Sequence, residues 1–292
     1  MEKKKKKGTV STVILILILI AGLSLVLYPT VSDYVNSLHQ SRAIAGYNEA
    51  VSEIDDKDYK KILESARAYN KRLYERGVSY ELTDEEKAEY NSMLKVPGTD
   101  VMGYVEVPSI NCTLPIYHGT DEAELQVGVG HLEWTSLPVG GENTHCVLSG
   151  HRGLPSAKLF TNLNKVGEGD IFMVRVLDEV LTYEVDQIRI VKPDDTSDLQ
   201  IVKGKDYCTL MTCTPYGVNS HRLLVRGHRI DNLESSNSIR VTSDAVKIDP
   251  LLVAPLIAIP LLIIVLIIVI VKTKKSKKKK DKNNKKDNKE EK

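Results

Sequence analysis

Tyr207-Cys-Thr-Leu-Met-Thr-Cys213-Thr-Pro-Tyr-Gly-Val-Asn-Ser-His-Arg222-Leu-Leu-Val-Arg-Gly227 is the stretch from which the rest of the chain is read. Tyr207 to Thr212 is a β-rich run that delivers Cys213 to its end. Thr214 to Ser220 supplies turn formers, and a second apolar run, Arg222 to Arg226, leads away. Two such runs joined by a Pro/Gly/Asn loop read as a hairpin or as neighbouring strands. Alternation puts Arg222, Leu224 and Arg226 on one face of the second strand. A thiol and a guanidinium are therefore expected together at one end of a sheet.

Outward from this stretch the β texture continues. Short runs occur at 103–107, 110–117, 145–149, 170–176, 180–185, 187–191, 208–213 and 222–230. Eight strands punctuated by turns over about 130 residues suggest a closed barrel or a sandwich. Ala157 to Asn164 is the one short helix expected within it. Residues 30–95 read as helical instead. Tyr34, Leu38, Ile44, Tyr47, Val51 and Ile54 recur at roughly helical spacing, and Asp55-Asp-Lys-Asp58 breaks that segment. Tyr59 to Glu75 resumes the pattern, and Thr83-Asp-Glu-Glu86 resembles an N-cap with an acidic first turn, opening a helix to about Leu94.

The net charge of +1 conceals segregation. Residues 1–7 and 272–292 together carry 17 Lys against 5 acidic residues, leaving 23 basic against 34 acidic between them. An acidic middle excludes the basic stripe that nucleic-acid binding needs. The basic ends fit a membrane better. Val13 to Leu27 is apolar apart from Gly22 and Ser24, and Leu251 to Val271 has no charge over 21 residues. Each approaches the length that a bilayer requires. Lysines flank the outer end of each span, so both termini are expected in the cytoplasm and the middle outside. The first span reads as an uncleaved anchor, because no small-x-small cleavage site follows it. The expected organisation is a basic tail (1–8), a transmembrane helix or signal anchor (9–28), a helical N-terminal or lid region (29–98), a catalytic barrel (99–230), a polar tether (231–249), a second span (250–271) and a Lys-rich tail (272–292).

An even number of cysteines in an exported chain often signals disulfides. Cys112, Cys146 and Cys208 sit in apolar runs, where a buried, inert thiol is the default, though a Cys146–Cys208 bridge stays open. No Cys-x-x-Cys pair supports zinc. Cys213 is the candidate nucleophile. A thiol needs a base to take its proton, usually a histidine. Of seven histidines, His151 stands out, since Ser149-Gly-His-Arg-Gly-Leu-Pro155 ends one strand run in a turn. Acyl transfer also needs a donor at the developing oxyanion, and Arg222 is placed to supply it.

Longer motifs carry a resemblance. Thr209-Leu-Met-Thr-Cys213 is similar to the Thr-Leu-x-Thr-Cys signature of sortases, the transpeptidases of Gram-positive surfaces. The stretch after Cys213, Ser149 to Phe160, and Leu114-Pro-Ile-Tyr-His-Gly-Thr120 resemble the pilus-assembly subgroup, class C. The resemblance covers about residues 102–230 and implies the eight-stranded sortase barrel. It implies Cys213 as nucleophile, His151 as acid/base and Arg222 as oxyanion or substrate clamp, with no cofactor or metal. It further implies cleavage of a Leu-Pro-x-Thr-Gly-like sorting signal and transfer to a pilin lysine. Thr212 and Thr214 flank the nucleophile as candidate substrate contacts, with filling the strand end as the plainer role. Many class C enzymes carry an Asp-Pro-aromatic lid, and no such tripeptide occurs in residues 60–100. Tyr80 alone offers its aromatic part, with a plain packing or surface tyrosine as the weightier reading, so a weaker or differently anchored lid is expected, without an Asp–Arg222 latch.

Three rival readings remain. A wall-anchored surface protein would need a sorting motif just before its last span, and Ser238 to Pro250 holds none. A housekeeping sortase would pass its acyl group to a peptidoglycan amine. A cysteine protease would pass it to water.

Overall fold

The computed structural model describes residues 3–77 and 79–232. The expected tether from 233 onward, the second span and the Lys-rich tail lie outside the described residues. The first helix, α1 (Lys3–Ser52), runs without a break from the apolar segment into the helical region, with Pro29 inside it. Asp55 caps the next helix, α2 (Asp56–Arg76), its carboxylate accepting from the Lys57 and Asp58 amides. The N-cap expected at Thr83 opens α3 (Asp84–Ser92), and there the Thr83 and Glu86 side chains make a reciprocal capping box.

A closed eight-stranded barrel follows. Its strands are β1 (Val101–Val107), β2 (Cys112–His118), β3 (Val129–His131), β4 (Thr144–Ser149), β5 (Ile171–Val176), β6 (Glu179–Val191), β7 (Asp206–Thr214) and β8 (His221–Ile230). Around the barrel they run β1-β2-β3-β4-β7-β8-β6-β5, with β5 closing on β1. Among the described residues, only β2–β3 and β4–β7 are parallel pairs.

The expected count of eight survives two errors that cancel. The runs at 180–185 and 187–191 are one strand, β6, bulged between Val185 and Gln187. Asp186 is the extra residue there, and its carboxylate takes two hydrogen bonds from Arg226, at 2.9 and 3.1 Å. Conversely, β3 was not legible, since three residues are too few to show alternation. It follows a short helix, α4 (Glu122–Val127), that the sequence reading also lacked. The expected helix at 157–164 is a 3-10 turn at Leu159–Lys165.

The helical preface packs against the barrel. Tyr47 of α1 is fully buried, donating to the Met102 carbonyl and accepting from the Leu177 amide. Asn70 of α2 clamps Leu137 through both its amide and carbonyl (2.7 and 3.0 Å). Tyr90 of α3, also fully buried, donates to His131 Nδ1 and accepts from the Gly119 amide. Tyr47, Asn70 and Tyr90, all from the region expected to form the N-terminal or lid part, are thus buried against the barrel.

Candidate active site

The site is set by strand register. Across the antiparallel pair β7–β8, Cys213 is the direct partner of Arg222. Across the parallel pair β4–β7, Ser149 stands beside Met211. The Gly150 amide then donates to the Met211 carbonyl (3.0 Å), and Thr212 Oγ1 donates to the Gly150 carbonyl (2.7 Å). One residue further on each chain are His151 and Cys213. Neighbouring strands lie about 4.8 Å apart, so thiol, imidazole and guanidinium share one end of the barrel. A glycine is required at the bend before His151, since a Cβ on Gly150 would come within 2.7 Å of the Phe160 ring.

Alternation sorts the faces. Cys208 and Leu210 enter the barrel core, whereas Met211 joins an outer cluster with Val147, Leu199 and Leu224. Cys213 follows Met211 at an interval of two and shares its outer face. Trp134, Leu132 and Val191 pack on this cluster. An apolar patch therefore leads away from the Cys213–Arg222 rung along the outside of the sheet. Over the same face, His145 donates from Nδ1 to the Gln200 carbonyl (2.9 Å), while its Nε2 accepts from Thr209 Oγ1 (2.8 Å). Burial holds this imidazole down, at about 4.

Each residue expected at the site can be placed. His151 Nε2 is shut off from solvent without a hydrogen-bond partner among the described residues. The Glu122 carboxylate of α4 stands 3.7 Å from it, beyond hydrogen-bond reach. Nothing in the sequence pointed to Glu122, because α4 itself was not legible. The Arg222 guanidinium donates only to the carbonyls of Asn219 and His221 (3.4 and 3.3 Å), and among the described residues no carboxylate pairs with it. Thr212 is buried against Gly150, and Thr214 Oγ1 accepts from Arg152 Nη1 (3.1 Å).

Tyr80 lies elsewhere than against Arg222. Its ring meets Trp134 edge-on at 4.9 Å between centroids, and its hydroxyl accepts from Thr196 Oγ1 (3.0 Å) and Gln200 Nε2 (2.8 Å). It pins the α2–α3 connection to the β6–β7 connection beside the apolar patch.

All four cysteines are free. Cys146 and Cys208 are register partners inside the barrel. Burial pushes Cys112 up to about 12 and raises Cys208 well above the ordinary thiol range. Among the described residues, no cluster of three or more His, Cys, Asp or Glu could hold a metal ion.

Comparison with known proteins identifies the family of the barrel. A sortase domain family model matches residues 105–230. The chain is 32% identical over 171 residues to sortase D of Bacillus subtilis, covering 58% of this chain and 82% of that protein. Among solved structures, sortase C1 of Streptococcus agalactiae is 57% identical with a TM-score of 0.64, covering 66% of this chain and all of that one. Clostridium perfringens sortase C, determined with the C-terminal cell wall sorting motif, is 46% identical with a TM-score of 0.58, over 65% of this chain and 98% of that one.

Proposed function

The chain belongs to the sortase family, and we propose that it is a class C, pilin-polymerising transpeptidase that uses Cys213, His151 and Arg222. The observation that carries this reading is the shared rung of Cys213 and Arg222 with His151 beside it.

The substrate would be a Leu-Pro-x-Thr-Gly-like sorting signal, its apolar side chains lying along the partly exposed Trp134 and Met211. Cys213 Sγ attacks the threonine carbonyl carbon as His151 takes the thiol proton. Arg222 donates to the oxygen that becomes negative, an interaction stronger in the transition state than in the ground state. Collapse breaks the Thr–Gly C–N bond, and His151 gives its proton to the departing glycine amine. The thioacyl enzyme then meets a lysine amine of the next pilin subunit. Attack forms the isopeptide bond, and the sulfur leaves with a proton returned through His151. The whole operates outside the cell from a membrane anchor at the apolar part of α1. Over Ile18–Ser52 this helix is long and apolar enough to cross a bilayer.

Purified ectodomain mixed with pilin and with a wall-peptide mimic tests the proposal. Covalent pilin ladders that require a pilin lysine are expected. Adducts to the wall peptide alone would move the assignment to a housekeeping sortase.

A further inference from the structure

The path of α1 relates the catalytic end of the barrel to the bilayer. From Gly8 to Ser32 the sequence has no charged residue, and Lys7 and Asp33 bound the run. Twenty-six residue steps of helix rise about 39 Å. That matches a bilayer of about 40–45 Å including headgroups, so with Lys7 at one surface Asp33 reaches the headgroups of the other. A tilt of about 20° shortens the rise only to about 37 Å.

Asp33 is also where the helix docks. Its carboxylate accepts from the Lys158 amide (2.7 Å) and pairs with Lys158 Nζ (3.2 Å). One turn on, Asn36 Nδ2 donates to the Ser156 carbonyl (2.7 Å). Ser156 and Lys158 belong to the loop that leaves His151 and returns to it, for the Phe160 amide donates to the His151 carbonyl (3.1 Å). The helix is thus fastened to the loop of the proposed acid/base residue, at the height where it emerges from lipid.

The opposite face of α1 points to the same surface. Val31, Tyr34, Val35 and Leu38 are exposed and follow an i, i+3, i+4, i+7 stripe. At 100° per residue this stripe is centred about 180° from Asp33 and Asn36. An apolar stripe that stays uncovered past the docking point, with tyrosines at 28 and 34, fits the interfacial layer, where such rings concentrate. The loop's charge agrees: residues 150–165 hold Arg152, Lys158 and Lys165 and no Asp or Glu, so with Lys158 paired to Asp33 two positive charges remain, although the chain between its basic ends is acidic. Basic segments are drawn to anionic headgroups within a Debye length.

We propose that α1 seats the catalytic end of the barrel on the membrane surface, with the loop after His151 at the level of anionic lipid headgroups. This rests on the reading of α1 as a membrane anchor. The scissile bond of a membrane-tethered substrate then needs only a short stretch of chain between itself and its own span.

The test uses the full chain with Cys213→Ala in phosphatidylcholine–phosphatidylglycerol vesicles carrying headgroup-proximal spin-labelled lipid. A fluorophore is attached at Pro155→Cys in the loop, or at Lys203→Cys at the far end of the barrel. The loop probe should be quenched severalfold more than the far probe. Seven alanines inserted between Val31 and Ser32 lift the barrel by about 10 Å with nearly unchanged helical phase, and should abolish that difference. Equal quenching at both sites, or quenching that survives the insertion, overturns the seating while leaving the anchor intact. Failure of the unlabelled chain to stay with carbonate-washed vesicles overturns the anchor and the seating together.

Discussion

Cys213 and Arg222 are partners on a single rung of the β7–β8 ladder, so the backbone itself sets the separation of sulfur and guanidinium. The rung lies just inside the connecting loop, where side chains on the outer face remain open to a peptide. Cys213→Ala should abolish the thioacyl adduct with a sorting-signal peptide, read by mass spectrometry. Arg222→Lys should lower kcat/KM about 100-fold, because a point charge does not reproduce a planar fork of donors.

Arg226 is the contrasting case. It lies on the same face four residues on, but its guanidinium is bound to Asp186 and stacks 4.2 Å from the Tyr207 ring. Arg226→Ala should cost about 1–3 kcal/mol of stability and leave kcat/KM within about tenfold of the parent. A loss of turnover matching that of Arg222→Lys in a normally folded protein would remove Arg222 from its proposed role.

Thr212 separates a structural from a substrate role. Thr212→Val leaves the Gly150 carbonyl without its bond at the bend before His151. A penalty of about 1–3 kcal/mol is expected, with a lower melting temperature and a lower kcat at unchanged KM. Thr212→Ser should restore both. A raised KM with an unchanged melting temperature would place the hydroxyl on the substrate.

Tyr80→Ala addresses the expected weak lid. A point substitution is needed because Tyr90 and Leu94 of the same region belong to the core. Loss of the Trp134 contact and two hydrogen bonds amounts to about 1–2 kcal/mol, so peptide cleavage should rise by up to about thirtyfold. Unchanged rates would mean that the connection does not restrain access to the apolar patch.

His145 should make stability fall with acid. Its folded value, about 4, lies below the ordinary 6.5 because burial disfavours the cation. The unfolded chain therefore binds more protons between those values, and stability is lost as pH falls from 6.5 toward 4. The full effect is about 3 kcal/mol. His118, also lowered by burial, acts in the same direction. Glu106 and Asp206 are raised by burial and act oppositely, lending stability at low pH that is lost as pH rises through their folded values. The window that reports on His145 is the one between its two values, from about pH 4 to 6.5. Melting temperatures of His145→Gln across that window should be lower but flatter than the parent's.

Much was legible because local chemistry repeats at fixed intervals. The helix break at Asp55–Asp58, the N-cap at Thr83, and the strand runs ending at Cys213 and beginning at Arg222 are each decided within a few residues. Periodicity misjudged what depends on partners. The bulge at Asp186 looked like a strand end, and β3 exists only because β2 and β4 flank it.

The sequence by itself determined which residues carry the chemistry and that they end or begin strands, since thiol, imidazole and guanidinium are chosen one at a time by the chain. Only the tertiary structure decided that His151 lies beside Cys213. That adjacency depends on the parallel register of β4 and β7, two strands more than fifty residues apart along the chain. It likewise decided that Tyr80 leans on Trp134 rather than Arg222, and that Asp33 grips the loop after His151. Contacts between distant segments are set by how the barrel closes, and no local pattern encodes that closure.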